Sequence, residues 1–137
     1  MACTYLHNHM IATIKKLYPG ALHGVDFLVG QPLDPETGEL TSLPWIASWK
    51  RAEPQPDDKS IHKKFAANEA ELRAVVIREQ RAACLRDSDN RTAVPPDAPA
   101  SVQEKAALWV EYRQKLRDLP SQAGFPFNVE WPDAPQD

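Results

Sequence analysis

Apolar residues recur at three- and four-residue spacing over residues 8–18, where Ile11, Ile14, Leu17 and Tyr18 share one helical face. Asn8 is placed to cap that helix, and Pro19-Gly20 stops it. The period then drops to two. Residues 25–30 and 43–50 read as short strands. The turn residues Asp34, Pro35, Thr37 and Gly38 between them predict a hairpin. Alternation on the second strand puts Trp45, Ala47 and Trp49 on one face and Ile46 and Ser48 on the other.

Pro54 and Pro56 stiffen residues 53–58 into a linker, because each proline biases its predecessor towards extended backbone. One long helix is expected from about residue 57 to residue 87. Its apolar face is Ile61, Phe65, Leu72, Val75, Val76 and Ala83, interrupted by Asn68 and Glu69. Glu69 and Arg73 stand four apart with the acid first, which supports a helix. A Pro-rich loop follows. Ser101 with Glu104 three residues on predicts a capping box at the next helix start. That helix carries Ala106, Trp109, Tyr112, Leu116 and Leu119 as its stripe and ends at Pro120. In the tail, Phe125, Phe127, Val129 and Trp131 alternate with polar residues or proline. In an extended chain they share one face and must cover something, either the protein's own helices or a partner.

The architecture expected is α+β. A small N-terminal helix–β-hairpin unit spans residues 1–52. A Pro-rich linker at 53–58 joins it to an antiparallel helical hairpin with an extended apolar tail at 59–137.

Composition narrows the function classes. The chain has 137 residues, enough for one domain or two very small ones, and the 13 prolines cluster in three stretches rather than throughout. A formal net charge of −3 with Lys and Arg interspersed among acids argues against nucleic-acid binding. No apolar run approaches a membrane span, and the start lacks signal-peptide architecture. Cys3 and Cys84 lie far apart without metal-type spacing and read as two reduced thiols.

Candidate chemistry is sparse. His7, His9, His23 and Asp26 are the one group resembling a metal site. In a helix, however, the two rings of His7 and His9 diverge by roughly 200°. Phosphate loops, nucleophile elbows and His-Glu-x-x-His are missing. Asp57-Asp58 fits helix capping better than catalysis. Arg113, Arg117 and Asp118 have carboxylate-binding potential, but the simpler reading is that the two arginines pair with nearby acids. Trp109 and Trp131 fit core positions. Trp45 and Trp49 fit an interface, since a short hairpin buries one face well and the other poorly. The sequence therefore predicts no enzyme, no cofactor and no metal.

The C-terminal block reads WxxYRxxLRDLPxQxGFPxxVxWP. Its positions include Trp109, Tyr112, Arg113, Leu116, Arg117, Pro120, Gln122, Phe125 and Trp131. It resembles the C-terminal signature of phage tail assembly chaperone proteins, a family encoded beside tail-fibre genes. The resemblance covers roughly residues 78–133 and takes in the Ser88-Asp89 pair. The family pattern has an aromatic after that pair, where this chain has Asn90 and Arg91. Residues 17–49 resemble the N-terminal part of small tail proteins of the XkdW type.

These resemblances imply a protein that binds a phage tail-fibre or tail/baseplate protein, with no catalytic residues to carry over. The first reading is an assembly chaperone that shields apolar surface until the fibre trimerises. It would act in the host cytoplasm, as a homo-oligomer or in association with a trimeric fibre. The alternative is a structural virion protein held in the tail. A small metal-dependent hydrolase built on the histidine group is the third. The expected partner contacts are Trp45, Trp49, Phe125, Phe127 and Trp131.

Overall fold

The structure, a computed structural model, describes residues 4–137. Cys3 lies outside the described residues. The element order is α1 (His7–Leu17), β1 (Phe27–Gly30), β2 (Trp45–Trp49), α2 (Asp58–Ala67), α3 (Glu69–Asp87) and α4 (Ala100–Asp118). Short 3-10 turns follow α3 (Asp89–Arg91) and α4 (Leu119–Ser121). Among the described residues the fold is α+β, with four helices and one two-stranded antiparallel sheet. The described residues form two compact units that divide between Val76 and Ile77, partway along α3. Residues 53–57 are non-helical, and α2 beyond them packs on α1 within the first unit.

In the first unit Met10, Ile14, Ala21, Phe27, Ile46 and Ile61 make one core cluster, and Ala12, Phe65, Leu72 and Val76 make a second. Asn8 does not cap α1. Leu6 is the cap residue, and the His9 imidazole accepts its backbone N–H at Nδ1, 3.0 Å away. The single long helix expected over residues 57–87 is two helices. Asn68 breaks it with φ −127° and ψ 29°, while its amide donates to the Lys64 carbonyl at 2.9 Å. An Asn side chain competes for backbone acceptors at this point, so the polar interruption marks a real break. Beyond it Glu69 and Arg73 form the expected pair at 2.9 Å.

The hairpin corrects the assignment of strand faces. Its register pairs Phe27 with Trp49 and Leu28 with Ser48, but then Val29 with Ile46, so Ala47 has no partner. This bulge reverses the alternation. Ile46 lies in the core and Trp49 packs against the same cluster, so Trp49 leaves the face it was expected to share with Trp45.

In the second unit the end of α3 and α4 run antiparallel. Arg113 reaches the Leu85 carbonyl, and four residues further along α4 the Arg117 carbonyl accepts from Arg81, four residues back along α3. Ala106, Trp109, Leu116 and Leu119 are buried as expected, and Tyr112 is half-buried. The capping box at Ser101 is not formed. Instead α4 starts after Pro99, whose carbonyl accepts from Val102 at 3.0 Å and Gln103 at 3.1 Å. The Gln103 side chain folds back on the Ala98 carbonyl at 2.9 Å.

The tail is not a strand. Gly124 accepts from Phe127 at 2.9 Å and Asn128 at 2.8 Å, closing a tight turn where period-two backbone was expected. From residue 129 onward the chain has no regular structure. Turn hydrogen bonding over 124–128 overrides side-chain alternation, so the four apolar residues do not share a face.

The environment of His9 carries a pH prediction. Burial, and then the neighbouring Arg73, push its pKa down from 6.5 to about 4. His23 and His62 are also lowered, each mainly by burial. The folded unit therefore binds fewer protons than the unfolded chain below pH 6.5, and stability present above that pH is lost as pH falls towards 4. Discounted for partial solvent screening, His9 contributes on the order of 2 kcal/mol to that loss. Urea titrations at pH 7 and pH 4.5 measure it. His9→Gln keeps an acceptor for Leu6 without a titrating group and should flatten much of the slope. Parallel pH profiles for the two proteins would refute this account.

Candidate functional site

The first candidate surface is the outer face of the hairpin. Phe27 and Val29 point to the core, so Leu28 and Gly30 point out, and Trp45 stands opposite Gly30. Leu28 is 42% exposed and Trp45 39%. The indole lies directly over Gly30. A Cβ at that glycine would come within 3.0 Å of Trp45 Cζ2, so the missing side chain lets the ring lie flat on the sheet. Leu33 and Leu40 pair as a bridge in the connecting loop, and both are exposed, as is Leu43. The loop is ordered by Asp34, whose carboxylate accepts from the Glu36 and Thr37 N–H groups at 2.8 and 2.9 Å.

A two-stranded sheet has two open edges, which invite strand addition. Here one N–H group on each strand is already occupied by a side chain. Val29 donates to His23 Nε2 at 3.3 Å, and Ile46 donates to Asp58 Oδ1 at 2.9 Å. Neither His23 nor Asp58 was expected in this role. Each lies outside the strand it covers, so no spacing rule points to it.

Trp49 is a different case from Trp45. Its ring meets Tyr18 edge-on at 5.0 Å, and Nε1 donates to the Glu53 carbonyl at 2.7 Å. It holds the end of the hairpin together. Three of the histidine rings are likewise engaged: His9 at Leu6 and His23 at Val29 locally, and His62 with the Tyr5 hydroxyl at 3.0 Å across the unit. Among the described residues no three His, Cys, Asp or Glu side chains gather as a metal site requires. Cys84 is a free thiol.

The second candidate surface lies in the other unit, where the tail runs beside α4. Arg113 organises this unit. Its guanidinium donates to the Leu85 carbonyl, to Ser88 Oγ at 2.8 Å and to Asp89 Oδ1 at 2.7 Å. Arg113 thus pairs with an acid, as expected, but across the helical hairpin rather than along its own helix. Trp109 packs edge-on to Tyr112 at 5.6 Å, and the Arg91 guanidinium lies 5.1 Å above the Trp109 ring. Burial raises the pKa of Tyr112, and the neighbouring Cys84 adds to the shift. Leu116 is fully buried, and Pro120 sits in the 3-10 turn that ends α4.

Past that turn Gln122 holds the tail. Its amide donates to the Glu130 carbonyl and accepts the Glu130 N–H, both at 2.8 Å, as a paired strand would. Phe125 is half-buried under the Arg78 guanidinium at 5.4 Å, Phe127 is 48% exposed, and Trp131 is 38% exposed. The five expected contact residues therefore fall into separate groups. Trp45 lies on an open face, Trp49 is structural, and the three tail aromatics are spread around a turn.

Comparison with known families accounts for both units. Residues 74–136 match the family described as phage tail assembly chaperone protein, and residues 10–73 match that described as XkdW protein. The C-terminal part is thus of the phage tail assembly chaperone type and the N-terminal part of the XkdW type. No curated protein and no solved structure matches it. The join between the two family segments falls within α3, close to where the compact units divide. In the chaperone segment the Arg113 bonds and the Gln122–Glu130 pair use residues of the sequence signature itself. The XkdW segment holds the exposed hairpin face. Among the described residues no helix is long and apolar enough to cross a membrane.

Proposed function

We propose that this protein binds a phage tail-fibre or tail component during assembly and covers apolar surface on it until the component reaches its final form. The observation that carries this reading is the outer face of the hairpin, where Leu28 and Trp45 remain open above Gly30. An aromatic ring held flat on a small sheet, with exposed Leu28 on the same face, is suited to anchor a partner. The occupied N–H groups at Val29 and Ile46 favour docking on the face of the sheet over strand addition at those edges. The family matches support a tail-related partner. Apolar burial drives such binding, so salt should affect it little.

The test is co-expression with a fibre protein of the same phage, followed by gel filtration. Trp45→Ala should weaken the complex at least tenfold while leaving the melting temperature within a few degrees, because a central aromatic anchor is worth about 2 kcal/mol or more. Trp49→Ala should instead lower the melting temperature, because it removes core packing and the Glu53 bond. If the fibre folds and trimerises equally well without this protein and no complex elutes, the assembly reading is wrong. Recovery of the protein in purified particles would favour the permanent structural role.

A further inference from the structure

The strip beside α4 in the second unit is a groove that already holds an extended peptide, the chain's own residues 130–137. Three adjoining clefts of about 300, 270 and 210 Å³ lie along it, and each is lined by helix residues on one side and tail residues on the other. Lys115 and Tyr112 each line two of them. The tail segment fills the groove only in part and is lightly held. Among the described residues the polar contacts of 129–137 are the Glu130 backbone on Gln122 and the Asp137 carboxylate on Arg91 at 2.8 Å. Asp137 is 70% exposed and Arg91 47%, so that ion pair is worth no more than about 1 kcal/mol and exchanges readily.

We propose that this groove is a binding site for an extended, acidic, proline-bearing segment of a protein partner, and that residues 131–137 occupy it as an internal competitor. The chemistry follows from the seated occupant. Arg91 is stacked on Trp109 and turned towards a carboxylate, which makes it a receptor for an acidic side chain. Pro132 and Pro135 keep the occupant extended without requiring partners for its backbone N–H groups, and the helix side of the groove presents the rings of Trp109 and Tyr112. The unfilled volume leaves room for a bulkier segment than Asp133-Ala134-Pro135. This inference rests on the proposed function only for the source of such a segment.

The test therefore uses no tail protein. A fluorescent peptide spanning residues 131–137 is titrated by anisotropy into the full chain and into a variant lacking residues 131–137. A tethered competitor acts at about millimolar effective concentration, so the shortened chain should bind the peptide at least tenfold more tightly than the full chain. Arg91→Gln in the shortened chain, or Asp137→Asn in the peptide, should weaken binding about threefold to fivefold. The full-length Asp137→Asn variant should bind with intermediate affinity. Equal affinity in the full and shortened chains, no binding to a shortened chain with intact helical circular dichroism, or indifference to Arg91→Gln would each overturn the proposal. If the shortened chain does not fold, full-length Asp137→Asn decides, and no gain over the native chain overturns it. Peptide binding without any fibre complex would leave the groove standing and remove only the assembly reading.

Discussion

Arg113→Met should destabilise the protein by about 3 kcal/mol, measured by urea unfolding of the full chain. The guanidinium serves three acceptors at the end of α3, and its side chain is only 12% exposed. The acceptors are not equivalent. Asp89 is 60% exposed, so its ion pair contributes little and Asp89→Ala should cost under about 1 kcal/mol. The Leu85 carbonyl is among the acceptors a helix end leaves without a partner, and Ser88 beside it is buried. The one Ser88 hydroxyl hydrogen is shared between the Cys84 carbonyl at 2.7 Å and the Leu85 carbonyl at 3.2 Å, so without Arg113 Leu85 keeps only that weak donor, and the desolvation penalty dominates. Arg113→Lys keeps the charge but lacks the planar fork, so it should recover less than half of the loss. A full rescue by lysine would mean that charge, not geometry, holds the helices.

Gly124→Ala should be the most damaging single-atom change in the tail. An added Cβ would lie 2.2 Å from the Asn128 carbonyl oxygen, a backbone atom with no rotamer to escape through. The 124–128 turn must open. With it go two backbone bonds to the Gly124 carbonyl and the geometry that brings Glu130 to Gln122. The expected cost is about 2–4 kcal/mol, with a red shift of Trp131 fluorescence as the tail leaves α4. Gly38 provides the contrast. It has φ +73° with open space around it, so Gly38→Ala costs only backbone strain, about 1 kcal/mol. Equal melting temperatures for the two variants would show that the tail turn contributes nothing to stability.

Much of the fold was legible because local physics agreed with tertiary packing. The stripe Ala106, Trp109, Leu116 and Leu119 is buried as its spacing required, and Pro120 ends α4 as proline must. Four errors share one cause. The expected Asn8 cap, the Ser101 capping box, the Trp45–Trp49 face and the extended tail were all read from local pattern. Each yielded to a contact that pattern does not encode. The His9 ring took the Leu6 N–H, and the Pro99 carbonyl and Gln103 took over the start of α4. A bulge at Ala47 turned Trp49 inward, and the Gly124 carbonyl collected two N–H groups from the tail. Single hydrogen bonds of about 1 kcal/mol decide such choices, and periodicity does not resolve them.

By itself the sequence determined most element types, the helical stripes, the hairpin and the C-terminal signature of the phage tail assembly chaperone type, because these depend on residue spacing and identity along the chain. Only the tertiary structure decided which aromatics stay open. Trp45 is exposed and Trp49 is engaged, although both lie on one five-residue strand, because the extra residue between them changes which side of the sheet faces the core. It also brought Arg91 to Trp109 and Gln122 to Glu130, pairs whose separation along the chain no local rule reads. Exposure and pairing are properties of what the folded chain places alongside a residue, and the apolar face and the groove that carry the functional proposals exist only once that packing is in place.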